Sequence, residues 1–352
     1  MISSALNIAA SSLKAQQKAI DVVSHNMANV NTPGYTRQRV EIGTAQPQQL
    51  GDFNFGRGVD LNNVSRLVDT VVNQAMLKNA PQQNYWQELQ SGLKSIENVF
   101  GSLQSTGLSA AVDDFFLAAQ QMANAPEDVA QKFNLRTKST TLVSQISNMS
   151  AQLKATQQNA DANINQNLQS ANTLLTQIAS LNIQISQHEV GSQGGAGAAN
   201  DLRDQRDQAV RNLSTFLPLQ DVRTSDGGVL LQTMGGDLLV QDGTAQQLTR
   251  GAVAAGRNFQ SIVIAGSNTS VSGLDQGGKI GGAIALRDNR LGGYIADIDS
   301  MAVNLSFAIN QANASGVGSS RLSQVQSGLG VLNATLPVSD AAQNNSFSTQ
   351  IQ

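Results

Sequence analysis

From about Pro126 to His188 the chain reads as one helix. Over its second half, Ala160, Ile164, Leu168, Ala171, Leu175, Ile178, Asn182 and Ile185 keep the alternating three-and-four spacing of a single helical seam. Some sixty helical residues at about 1.5 Å each make a rod of roughly 90 Å. Such a rod suits an elongated structural protein better than a compact enzyme domain. Gln157 and Asn182 near the seam would weaken it while fixing register. Glu127 and Asp128 suit the positive end of the helix. Gly191 to Gly197 then breaks it. A phosphate-binding loop is set aside there, because no strand precedes the glycines and no Lys-Ser/Thr follows. A helical-hairpin turn fits. The returning helix begins near Asn200, with Leu202, Ala209, Val210 and Leu213 inward. Its face Asp201 to Asp207 interleaves acids and bases and is expected to be solvated and self-paired. A metal site of Asp201, Asp204 and Asp207 is the sharper alternative, disfavoured by Arg203 and Arg206.

Other helices surround this hairpin. One runs from about Val68 to Ala80, with Val68, Val71, Val72 and Ala75 inward; a bend at Pro81 follows. Periodicity resumes with Trp86, Leu89, Leu93, Ile96 and Phe100. The next carries Leu108, Val112, Phe115, Phe116, Ala119 and Met122 on one side. A last one, about Ala285 to Asn313, repeats Leu291, Ile298, Leu305 and Ala312 by sevens beside Ile295, Ala302 and Ile309. Between Leu219 and Gly282 short apolar runs predict strands at Leu219–Val222, Val229–Thr233, Leu238–Val240 and Ile262–Ile264. The turns are Asp226-Gly227-Gly228, Gly235-Gly236 and Asp242-Gly243, with glycine expected to supply positive φ. Aromatics are only 4% and charged residues 13%, so cores should be long and thin. The predicted fold is mainly α: an elongated multi-helix bundle or coiled coil with a small inserted β-element and an N-terminal heptad helix.

That N-terminal helix carries a seam of its own. Leu6, Leu13, Ile20 and Met27 recur by sevens, and Ile2, Ala9, Gln16, Val23 and Val30 form the companion row. Ser3 and Ser4 are candidate caps. The run stops at Asn31-Thr32-Pro33-Gly34-Tyr35, where proline bars helix and glycine permits a turn. With Ala and Gln in core positions and little charge, the seam is too weak to stand alone. It reads as half of an assembly, with Leu6, Leu13, Ile20, Val23, Met27 and Val30 as the interface. Beyond it, Thr36 to Ile42 could be extended and Gly43 to Asp60 a loop or small hairpin. Phe53 and Phe55 there are either a local staple or a contact surface.

Chemistry is sparse. A net charge of -3 offers no footprint for nucleic acid or an anionic membrane. With no cysteine, neither disulfides nor thiolate metal sites exist. Lys14 and Lys18 interrupt any secretory signal, and no run is long enough to span a bilayer. His25 reads as polar packing, and His188 as a cation at a helix C-terminus. Asp113 and Asp114 point apart on one helix, and no G-x-S-x-G elbow appears. No catalytic, cofactor or metal site is predicted, and no enzyme.

The run Asn26-Met27-Ala28-Asn29-Val30-Asn31-Thr32-Pro33-Gly34-Tyr35-Thr36-Arg37 closely resembles the N-terminal signature of bacterial flagellar axial proteins, of which Asn29, Asn31, Thr32, Pro33, Gly34, Tyr35 and Arg37 are the signature residues. Gly58-Val59-Asp60 leading to Val64-Ser65-Arg66 looks like the family's next block. Three further stretches resemble the hook-associated members that form the hook–filament junction: Ile96-Glu97-Asn98-Val99-Phe100, Asn124-Ala125-Pro126 after Phe115-Phe116, and Leu202-Arg203-Asp204-Gln205-Arg206-Asp207. So does Leu286-Arg287-Asp288. Hook or rod proteins are the alternative, and a peptidoglycan-directed enzyme a more distant one. The resemblance implies export through the flagellar type III apparatus to an extracellular place in the flagellum. It implies self-assembly into a ring or tube, with the hook protein, other hook-associated proteins and an export chaperone as partners. It also implies an N-terminal helix that orders on assembly. A C-terminal heptad helix expected of the family is missing, so the chain reads either as lacking its C-terminal part, the favoured reading, or as a short member. The expected divisions are an assembly arm (1–42), a linker (43–65), a helical body (66–218), a β-element (219–282), a returning helix (283–314) and the start of an outer β-domain (315–352).

Overall fold

A computed structural model describes residues 2–50, 53–101, 107–191, 199–223, 228–253, 258–267 and 269–315. The fold is mainly α with small antiparallel sheets. The chain forms two compact units, one of residues 1–85 with 165–281, the other of 86–164 with 282–352.

In the first unit α1 (Ile2–Ala28) leads into β1 (Gln38–Thr44), a short β2/β3 hairpin (Gln48–Leu50, Phe53–Phe55) and β4 (Val59–Arg66). The helix therefore starts before Ser3 and Ser4, which lie within it rather than capping it. Strands β1 and β4 pair antiparallel from Gln38↔Arg66 to Thr44↔Val59, with a bulge at Glu41/Ile42. The stretch expected as loop or small hairpin is thus a hairpin with a second hairpin at its tip; the side chains of Phe53 and Phe55 lie outside the described residues. Helix α2 (Thr70–Gly101) begins here, its first turn capped by Asp69, whose carboxylate accepts the Val72 N–H at 3.0 Å.

Helices α3 (Leu108–Asn124) and α4 (Val129–Gly191) follow, then α5 (Asn200–Ser214). The α4 seam is legible at every position named from sequence: Ala160, Ile164, Leu168, Ala171, Leu175, Ile178, Asn182 and Ile185 are all buried. Asp128 caps its start, accepting the Ala130 N–H at 2.8 Å. The turn after α4, residues 192–198, lies outside the described residues.

The four expected strands form as β5 (Leu219–Arg223), β6 (Val229–Thr233) and β7 (Leu238–Gln241), which share a sheet with an unexpected β8 (Thr244–Ala245), and as β10 (Gln260–Ile264), which pairs with an unexpected β9 (Leu248–Val253); Asp226 and Gly227 of the first expected turn lie outside the described residues. Two asparagines fix α4 to these strands. Asn172 exchanges two hydrogen bonds of 2.8 Å with the Leu248 backbone. Asn182 donates to the Val229 and Asp242 carbonyls at 3.2 and 2.7 Å. Amides satisfied at both ends, that of Asn182 buried and that of Asn172 half-buried, specify one register. At the β7–β8 turn it is Asp242, not Gly243, that takes positive φ, at 52°. Aspartate tolerates this conformation better than most residues.

The second unit holds a core of Ala111, Phe115, Ala118, Leu135 and Leu142, with Leu305 and Ile309 packed against it. α6 (Gly278–Ile284) ends in the first residues of this unit. A π-helical turn (Ala285–Leu291) follows, and then α7 (Gly292–Ser315). The predicted helix from Ala285 is thus entered through seven π residues. Arg287 in that turn is buried, bonded to Asp161 at 2.5 Å and Asp288 at 2.7 Å. Burial lowers its proton affinity, but the hydrogen bonds and charges of Asp288 and Asp161 outweigh this and hold it above the ordinary arginine value. Gly92 matters here, since any Cβ would run into the Leu286 side chain.

Several orientations differ from expectation. α2 continues through Pro81 without ending. Val71, Val72, Ala75, Trp86 and Phe116 face outward, whereas Leu89, Ile96 and Phe115 are buried. Periodicity marks a stripe but does not say which of two stripes finds a partner. Among the described residues no helix is long and apolar enough to cross a membrane. Residues 316–352, including the expected outer β-domain, lie outside the described residues.

Candidate assembly face and its anchor

Helix α1 has two faces of opposite fate. The outer one carries Leu6, Leu13, Ile20, Val23 and Met27, and Val30 follows in the turn just past the helix end; each is between 57% and 74% exposed. The inner one holds Ile8, Ser11, Ala15, Val22 and Asn26, and lies against β1 and β4, with Ala15 and Val22 buried. Small residues suit that side because the backbones approach closely. A Cβ on Gly58, at φ +91°, would sit 2.7 Å from the Ser11 hydroxyl and 3.3 Å from the Ile8 Cα. Sequence reasoning found the larger apolar row and missed this smaller one. Its signal was the Ile8, Ser11, Ala15, Val22 spacing, masked by small side chains.

Beyond α1 the signature folds into a compact turn. Asn29 donates its amide to the His25 carbonyl at 3.1 Å, and the Thr32 hydroxyl donates to Asn29 Oδ1 at 3.2 Å. Gly34 takes φ +85°, a conformation that favours glycine, and a Cβ there would lie 2.9 Å from Gln208 Oε1, which would have to swing aside. The Tyr35 hydroxyl donates to Asn26 Oδ1 at 2.8 Å, beside His25 Nδ1 at 3.0 Å. Asn26 also clips the start of β1, donating to the Gln38 carbonyl and accepting the Gln38 N–H, both at 2.9 Å. Asn31, Thr32, Pro33 and Arg37 are exposed, with the Arg37 carbonyl accepting the Leu67 N–H at 2.9 Å.

Helix α5 closes the anchor. The acid–base face expected in solvent is buried instead: Asp204, Arg206 and Asp207 are all inside. Arg66, at the end of β4, bonds Asp204 at 2.7 Å and Asp207 at 3.0 Å, with all three side chains under a tenth exposed. Asp204 also accepts the Thr36 N–H at 2.8 Å. Arg206 donates to Asn182 Oδ1 at 3.0 Å. Asn200 donates to the Val64 carbonyl at 2.7 Å, and Gln38 donates to Asp201 at 2.8 Å. A guanidinium lies between two of the three carboxylates once considered as metal ligands. Among the described residues no group of three His, Asp or Glu could hold a metal. Burial, then the charges of Asp201 and Asp204, push the Tyr35 hydroxyl above its usual value, so it stays protonated near neutrality.

A heptad arm, a signature turn and a charged lock to a long helical hairpin can now be set beside known proteins. The family model described as flagellar hook-associated protein FlgK helical domain matches residues 93–324. The chain belongs to the flagellar hook-associated protein FlgK family. A second model, flagella basal body rod protein, matches residues 6–36, the arm and most of the signature. Flagellar hook-associated protein 1 of Bacillus subtilis is 26% identical, over 89% of this chain and 67% of that one. The protein of the same name from Salmonella typhimurium is 29% identical, over 90% and 57%. The solved flagellar hook junction protein FlgK of Burkholderia pseudomallei matches with a TM-score of 0.58 and 26% identity, over 70% of this chain and 44% of that one. This chain therefore spans 57% to 67% of the length of these curated relatives.

Proposed function

We propose that this protein is a non-enzymatic structural subunit of the bacterial flagellum that polymerises at the hook tip to form the hook–filament junction. The observation that carries this is the outer row of α1, which stays exposed although the same helix is tied down along its inner face. An apolar row of that length on a monomer marks an interaction surface. In the proposal Leu6, Leu13, Ile20, Val23, Met27 and Val30 pack against neighbouring subunits in a ring or tube. The signature residues Asn29 to Arg37 set the angle at which the arm leaves the body. Residues 1–42 act as the arm, 43–65 as linker, 66–218 and 283–314 as helical body, and 219–282 as an inserted β-element. Hook protein and other hook-associated proteins are the neighbours, and an export chaperone accompanies the chain to the flagellar export apparatus. The names of the relatives support this placement, and the absence of disulfides suits passage through a narrow channel.

The test is replacement of the endogenous protein by a chain carrying Leu13→Asp and Ile20→Asp. The expected outcome is a folded, exported subunit that fails to incorporate at the hook tip and leaves filaments unattached. Normal attachment with both substitutions would contradict the proposal.

A further inference from the structure

Helix α2 opens with an uncovered apolar side of its own. Leu67, just ahead of it, and Val71, Val72 and Met76 in its first two turns are 44%, 73%, 46% and 49% exposed. Four large apolar side chains gathered on one side make a patch, where scattered single ones would need no explanation. The outer row of α1 is exposed as well, so within one chain neither surface covers the other.

Charges frame the α2 stripe. Leu67 and Val72 also line a cleft of about 250 Å³, together with Arg37 of the signature turn and Arg211 and Asp207 of α5. Asp207 is taken up by Arg66 at 3.0 Å. Arg211 directs Nε and Nη2 at a neutral acceptor, Gln208 Oε1, at 3.1 and 2.8 Å. The Arg37 backbone is pinned, its carbonyl accepting the Leu67 N–H, but among the described residues its exposed guanidinium has no acceptor. Asp69, also on the cleft, gives Oδ1 to the Val72 N–H at 3.0 Å, and among the described residues Oδ2 has no partner. The cleft therefore offers two guanidinium groups and, at the head of α2, one carboxylate oxygen. Helix α1 carries the opposite set. Its one carboxylate, Asp21, is exposed next to Ile20, and Lys18 stands three residues before it.

We propose that the outer row of α1 in one copy docks on the Leu67–Met76 stripe of a second copy, with Asp21 seated between Arg37 and Arg211 and Lys18 facing Asp69. The inference rests on reading α1 as the assembly arm, and it names the surface that receives the arm. Every copy bears both surfaces, so the contact is head-to-tail and repeats from subunit to subunit, as a ring or tube requires. The apolar side chains supply the adhesion. The charges, at an exposed rim, set register and direction.

The test uses the full chain in assembled junctions. Val71→Asp changes a side chain already in solvent, so the urea midpoint of the free chain should stay unchanged while incorporation falls by about tenfold or more. The chain has no cysteine, so the partner can be mapped by cross-linking. An Asp21→Cys chain and a separately tagged Arg37→Cys chain, produced together and treated with a short bis-maleimide, should give a heterodimer in assembled junctions and none when free and dilute. Asp275→Cys, exposed elsewhere in the same unit, should give none in place of Arg37→Cys. Normal incorporation of Val71→Asp overturns the proposal. So does equal cross-linking to Asp275→Cys, or a cross-link from Asp21→Cys to a different protein instead. A missing Asp21–Arg37 cross-link in junctions that contain both chains overturns the receiving surface alone, since assembly has then occurred. Normal attachment with Leu13→Asp and Ile20→Asp would instead sink the assembly reading itself.

Discussion

The outer face of α1 and the inner face of α5 invert the usual rule. One is apolar and exposed, with Leu13 at 62% and Met27 at 72%; the other is charged and buried, with Asp204 and Arg206 almost inaccessible. Burial therefore follows the supply of partners rather than polarity. Residues of α5 find theirs in Arg66, Thr36 and Asn182 of the same chain. The α1 row finds none among the described elements, which is what an interface awaiting other subunits requires. On the proposed reading, breaking the charged cluster should cost stability, and changing the apolar row should cost assembly.

Breaking the charged lock should have the largest effect. Arg66→Met removes the shared cation and leaves Asp204 and Asp207 buried together; the expected loss is about 3–5 kcal/mol, read from urea midpoints. A loss below about 1 kcal/mol would mean these charges behave as if solvated, and the contrast between the two faces would collapse. Gly34→Ala should come next, at about 1–2 kcal/mol, because it forces a side chain into a left-handed conformation and against Gln208. On the other face, Leu13→Asp should shift stability by no more than about 0.5 kcal/mol while abolishing incorporation. A large drop in the monomer would show that the row has a partner within the chain. The smallest effect is expected at Asp299, whose carboxyl is raised by burial, only partly offset by Lys154. Its folded form holds the proton more tightly than the unfolded form. Its contribution is therefore most favourable below the carboxylate range and declines as pH rises through it. Asp299→Asn should remove that decline and slightly raise the thermal midpoint at neutral pH.

Much of this molecule was legible in the residues. The α4 seam could be read position by position, since eight residues in one rhythm leave a single face to bury. Four of the strands between Leu219 and Ile264 were legible as apolar runs, whereas β8 and β9 were not, and the signature Asn29 to Arg37 announced both its turn and its family. The inside of α5 was not legible. Acids and bases three apart look alike whether they face water or a distant arginine, and Arg66 lies 138 residues from Asp204. Val71 and Val72 read as inward because periodicity defines a stripe without choosing between two. Asp242 takes the conformation expected of its glycine neighbour, with its carbonyl held by Asn182 from another element. The π turn at Ala285–Leu291 leaves no mark in residue spacing at all.

The absence of cysteine allows the central claim to be tested directly, by single-cysteine reactivity on α1 before and after assembly. Leu13→Cys on the outer row should react rapidly with a maleimide in the free chain and become protected in the assembled junction. Ala15→Cys on the inner row should be protected in both. A Leu13→Cys chain that stays equally reactive after incorporation would contradict the assignment of that face to assembly.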